Sequence, residues 1–109
     1  MSYVLVIDDE PLVRLVVREA LAASGWRVAE ATGGEEAWEL ISRERPDLVL
    51  LDLSCPGGEE LLARLKGEVP VVVMTGDEGA AEELGVEVLL KPFDLDKLRK
   101  LVESKLAGI

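Results

Sequence analysis

The chain has 109 residues, 12 basic and 22 acidic, giving a formal charge of −10 and 49% hydrophobic residues. That length fits one domain, residues 1–109, with room for a real core. The acidity argues against nucleic acid as a direct partner and against anionic membrane surfaces, both of which need a basic face.

No apolar stretch is long enough to span a bilayer, and no signal peptide opens the chain. The single cysteine, Cys55, cannot form an internal disulfide, so a reducing cytoplasm is the expected home. His, Asn and Gln are absent. Without His the chain lacks the commonest general base and the usual zinc ligand. A charge-rich composition free of thermolabile amides points to a heat-adapted source.

Strand-like and helix-like patterns alternate five times. Val4–Ile7 reads as a strand, and Pro11 then opens a helix, where a missing N–H costs little. Leu12, Val13, Val16, Val17, Ala20 and Leu21 line one face of that helix, and Gly25 stops it. Trp26–Ala31 alternates as a half-exposed strand does. Thr32 with Glu35 forms a capping-box pattern for a helix to about Arg45, before Pro46. Leu48–Leu51 is a strand and Glu59–Lys66 a short helix. Val69–Met74 is a strand with Pro70 near its start. Glu78–Leu84 makes only a short helix, closed by Gly85, and Val86–Leu90 is the last strand. Asp94 caps a final helix with Leu95, Leu98, Val102 and Leu106 inward.

The strands fall into two classes. The first, third and fourth are continuously apolar, as the middle of a parallel sheet requires. The second carries Arg27 and Glu30 and the fifth carries Glu87, which suits sheet edges. The expected fold is therefore a flavodoxin-like, doubly wound five-stranded parallel α/β sheet in the order 2-1-3-4-5. Its third and fourth helices are short. In this order ligands bind outside the carboxyl ends of strands one and three.

Asp8 and Asp9 end the first strand and Asp52 ends the third. A carboxylate straight after a buried strand is costly to place. Three of them in one pocket repel unless a cation joins them, and three oxygen donors suit Mg²⁺. Strand four ends in Met74-Thr75-Gly76 and strand five in Leu90-Lys91-Pro92-Phe93, which adds a hydroxyl and an ammonium to the same rim. A carboxylate nucleophile, a metal seat, a hydroxyl donor and a cation are the parts that phosphoryl transfer to a carboxylate needs.

The whole chain resembles a receiver domain of a two-component response regulator. The resemblance is carried by Val6-Ile7-Asp8-Asp9-Glu10, by Asp47-Leu48-Val49-Leu50-Leu51-Asp52-Leu53 with Pro56, by Thr75, and by Lys91-Pro92-Phe93. It implies that Asp52 takes a phosphoryl group from a histidine kinase, a phosphotransfer protein or a small donor such as acetyl phosphate. It implies that Asp8, Asp9, Asp52 and the backbone carbonyl of Ser54 hold Mg²⁺, while Thr75 and Lys91 bind phosphoryl oxygens. Ser54 and Asp77 then occupy the positions that tune hydrolysis, and Gly76 leaves room for the phosphoryl group. Such a domain catalyses only its own phosphorylation and dephosphorylation.

The intervals from Asp52 to Thr75 and from Thr75 to Lys91 are short for this family, and Val88 stands where receivers often carry a switching aromatic. The expectation is that phosphorylation is kept while signalling uses a different or weakened surface change. With one helix after Lys91, no DNA-binding output is expected. The alternative is a degenerate receiver acting as a phosphorylation-independent interaction module. A flavin carrier on the same fold is disfavoured, because Asp9-Glu10-Pro11 would repel a phosphate. A carboxylate-nucleophile phosphatase is disfavoured because Ser54 stands where a second Asp is expected.

Overall fold

The computed structural model describes residues 2–79 and 83–107. The strands are β1 (Tyr3–Ile7), β2 (Arg27–Ala31), β3 (Leu48–Asp52), β4 (Val71–Thr75) and β5 (Glu87–Leu90). The helices are α1 (Pro11–Ala23), α2 (Gly34–Arg43), α3 (Gly58–Leu65) and α4 (Leu95–Leu106). All strand pairs are parallel, and the order is β2-β1-β3-β4-β5. The charged strands are the edges and the continuously apolar ones are central, as their composition requires.

Alternation along the central strands divides the core. Val4, Val6, Leu48, Leu50, Val72 and Met74 face α1 and α4, where Val17, Leu21, Leu98 and Val102 are fully buried. Leu5, Ile7, Val49, Leu51 and Val73 face α2 and α3, against Ala37, Leu61, Leu62 and Leu65. Each such side chain contributes about 1.5–3 kcal/mol on burial. Asp47 fastens the lower end of the sheet: its Oδ2 accepts from Tyr3 N at 2.8 Å, and its own N–H donates to Tyr3 O at 2.8 Å.

Register then brings the upper ends together. Ile7 aligns with Leu51, so Asp8 and Asp52 come next on adjacent strands. Asp52 pairs with Met74, and Thr75 pairs with Leu90, which puts Lys91 one residue further along.

Several local expectations change. β4 begins at Val71, because Pro70 has no N–H for the ladder; its carbonyl still accepts from Val49 N at 2.9 Å. The N-cap of α2 is Gly33, and Thr32 makes no side-chain cap. Glu36, not Glu35, reaches back, accepting from Thr32 N at 2.7 Å. Leu12, Val16 and Leu95 are 70%, 39% and 37% exposed rather than inward. The Asp94 cap forms, accepting from Lys97 N at 2.7 Å. α3 is short, at eight residues. The expected helix Glu78–Leu84 includes residues 80–82, which lie outside the described residues; Glu83 and Leu84 are helical. No helix among the described residues is long and apolar enough to cross a membrane.

Candidate functional site at the carboxyl ends of the strands

The loop from Asp8 to Pro11 is closed by short-range bonds. Asp8 N donates to Ala31 O at 3.1 Å, Glu10 N to Asp8 Oδ1 at 2.9 Å, and Arg14 N to Glu10 O at 3.2 Å. Pro11 starts α1 where its missing N–H costs nothing. The Asp8 side chain therefore serves its own loop and the pocket, while Asp9 is exposed beside it.

Asp52 is 3% exposed. Ser54 bends back on it in the manner of an Asx turn, N–H and hydroxyl donating to Oδ1 at 3.1 and 2.8 Å. Oδ2 is buried and, among the described residues, has no hydrogen-bond partner. Lys91 Nζ stands 3.5 Å from it, an ion-pair distance, and donates instead to Asp8 Oδ2 at 2.8 Å.

Carboxylate oxygens of Asp8, Asp9 and Asp52 lie within 4.8 Å of one another. At an effective dielectric near 20, two unit charges that close repel by about 3–4 kcal/mol. Lys91 offsets only part of that. An orphaned buried oxygen, three hard anionic donors and one ammonium make a set that fits a small divalent cation.

Burial alone would lower the pKa of Lys91, but the Asp8 hydrogen bond and the Asp52 and Asp8 charges outweigh it and hold the ammonium above its ordinary value. Cys55, buried beneath the site, has its thiol pushed up to about 11, first by burial and then by Asp52, Asp9 and Asp8. It is a packing residue of the α2–α3 layer.

Thr75 is half-buried at the end of β4; its Oγ1 accepts from Asp77 N at 3.1 Å, and its carbonyl accepts from Lys91 N at 2.8 Å. Asp77 turns on Gly79 N at 2.9 Å. Among the described residues a Cβ on Gly76 would meet nothing within 4 Å.

The structure thus brings Asp8, Asp9, Asp52, Ser54 and Lys91 into one pocket, with Thr75 on its rim. Sequence reasoning missed two features. Ser54 engages Asp52 through its hydroxyl and N–H, a role signalled only by its two-residue spacing. Arg14 Nη1 donates to the Asp8 carbonyl at 2.7 Å, while its Nε meets Glu30 Oε1 at 3.3 Å.

A flavodoxin-like sheet with an acidic pocket and a lysine at its switch point defines the class. The model of the response regulator receiver domain matches residues 4–103, and the chain belongs to that family. It is 35% identical to sporulation initiation phosphotransferase F of Bacillus subtilis, covering 94% of this chain and 92% of that protein. It is also 35% identical to the response regulator MprA of Mycolicibacterium vanbaalenii over 87% of this chain, but spans only 46% of that protein. Several other curated relatives are likewise about twice as long as the region matched. The receiver domain of NtrX from Brucella abortus superposes with a TM-score of 0.87 at 30% identity, covering 97% of this chain and 99% of that one. Chemotaxis protein CheY4 of Vibrio cholerae gives 0.86 at 25% identity, with the same shares covered.

Proposed function

We propose that this receiver works by phosphorylation of Asp52. The observation that carries the reading is the state of that carboxylate: Oδ1 is committed to Ser54, and Oδ2 is buried without a hydrogen bond beside a lysine. An oxygen with no donor to give up is the one to bond to phosphorus. The new bond is an acyl phosphate, and the bond from phosphorus to the donor's imidazole nitrogen or acyl oxygen breaks. Histidine kinases, phosphotransfer proteins and small acyl phosphates are the donor classes that fit. Residues 1–109 act together as this one receiver, in the cytoplasm, on no substrate but themselves.

Asp8, Asp9, Asp52 and the Ser54 carbonyl would hold Mg²⁺, which screens the carboxylates from each other and from the incoming phosphoryl oxygens. Lys91 would exchange its bond to Asp8 for one to a phosphoryl oxygen, and the Thr75 hydroxyl, whose oxygen accepts from Asp77 N, would donate its proton to another. Ser54 and Asp77 sit where they would govern water access during hydrolysis of the acyl phosphate.

The test is intact mass after incubation with Mg²⁺ and acetyl phosphate. One added phosphoryl group, absent without metal and absent in Asp52→Asn, is expected. No gain, repeated with a phosphohistidine donor, sinks the reading. A second reading, the phosphorylation-independent interaction module, draws on the eight-residue α3 and on Val88 in β5. Mg²⁺ binding without phosphorylation would favour it.

A further inference from the structure

We infer that Arg14 is a positioning residue of the acidic pocket: by clamping the Asp8 carbonyl it fixes the Asp8-Asp9 pair for cation binding. The inference rests on the metal reading above and adds a residue to it.

Asp9 is exposed, and among the described residues nothing hydrogen-bonds its carboxylate. That carboxylate keeps its rotamer freedom, so what can be fixed for it is the backbone from which it hangs, and with it the region the carboxylate can reach. Asp8 has already left β1, so no strand takes its carbonyl. Arg14, one turn into α1, supplies the donor at 2.7 Å.

The clamp is itself held. The Arg14 side chain is only 16% exposed, and its Nε lies 3.3 Å from Glu30 Oε1 on β2. Arg18 Nη1 grips the other oxygen of Glu30 at 2.7 Å. The planar guanidinium is thus fixed between Glu30 and the Asp8 carbonyl, with little freedom left to lose. If Arg14 is replaced, Glu30 still has Arg18, so the damage stays local.

Three effects of Arg14 have different consequences. As a bare positive charge near a cation site it would oppose binding, and its removal would tighten the metal. As a staple between α1 and β2 it would support stability and leave metal affinity alone. As a clamp on the carbonyl it would favour binding, and its removal would weaken the metal by roughly 10-fold to 100-fold, the scale seen for partners that orient ligands.

The experiment is titration of the full chain with Mn²⁺, reading free ion by its paramagnetic resonance signal, without any phosphodonor. Wild type is compared with Arg14→Met, which keeps the stem, and with Asp9→Asn, which removes a ligand. Circular dichroism establishes folding. Weakening of at least about 10-fold in a folded Arg14→Met is expected. Equal or tighter binding in that variant overturns the inference alone. If Arg14→Met does not fold, Arg14→Met with Glu30→Gln decides: it removes the carbonyl donor without leaving a charge opposite the gap, so weaker binding supports the clamp and unchanged binding overturns it. A wild-type chain that binds no Mn²⁺ overturns the metal reading and the inference together.

Discussion

Lys91 gives its short hydrogen bond to Asp8, at 2.8 Å, and leaves Asp52 with an ion pair at 3.5 Å. The two carboxylates are therefore unequal before any ligand arrives. Asp52→Asn removes one of three crowded charges and keeps the Lys91–Asp8 pair. In metal-free urea unfolding it is expected to be more stable than wild type by about 1 kcal/mol. Asp8→Asn breaks the pair at a fully buried position and is expected to lose about 1–3 kcal/mol. Excess Mg²⁺ should narrow the gap between wild type and Asp52→Asn. A gap that metal leaves unchanged would count against shared coordination.

Cys55 provides a pH signature. Its folded thiol ionises only near pH 11, while the unfolded thiol starts from 9.0. Between those values the unfolded state has shed a proton that the folded state keeps. The thiol's contribution to stability is complete below pH 9.0 and is lost as pH rises through about 11. Cys55→Ala should show a shallower alkaline decline in stability. Alkylation of the native wild-type thiol at pH 8 should be slow, and fast alkylation there would contradict the burial.

Gly34 packs on the loop that follows Asp52. A Cβ there would come within 2.3 Å of Gly57 O, and Gly34 N already donates to Pro56 O at 2.8 Å. Backbone cannot rotate away as a side chain does, so Gly34→Ala should cost about 3 kcal/mol. Gly67→Ala is the control: its φ is 82° but a Cβ meets nothing within 4 Å, and the cost should be about 1 kcal/mol. Thermal or urea melts of both variants check the order.

Val88 is half-buried in β5 among the side chains of the α2–α3 layer. It offers no ring to turn inward. On phosphorylation, amide shifts in β5 and α4 should move less than those around Asp8, Asp52 and Thr75. Large shifts throughout β5 and α4 would show that an aromatic is not needed there.

Much of this was legible in the chain because burial writes itself into composition. Val4–Ile7 and Leu48–Leu51 carry no polar residue, so they had to be central, and the acids that close them had to meet. Lys91 was legible differently: it follows the last strand, an edge strand two places from β3, and so joins the same rim. Arg14 was not legible, because an arginine on a helix reads as solvated until the strand opposite is placed; Glu30 on β2 only then explains it. The helix cap at Gly33 was misread because Thr32 fits the pattern as well, and the choice between them depends on the tight approach of Pro56. Leu12 and Val16 satisfied helical periodicity, yet the face of α1 that enters the core is Val13, Val17, Ala20 and Leu21, and they fall beside it.

Arg64 of α3 lies over the Trp38 ring of α2, 4.8 Å from its centre, while the second indole, Trp26, is half-buried in the opposite layer. The molecule thus carries an emitter whose local field is set by the spacing of α2 and α3, together with a built-in reference across the sheet. Because α3 begins at the end of the loop from Asp52, events at that carboxylate are expected to change Trp38 emission in the unlabelled protein. Stopped-flow emission, with Trp26→Phe and Trp38→Phe to separate the two signals, turns the kinetics of the pocket into a spectroscopic measurement.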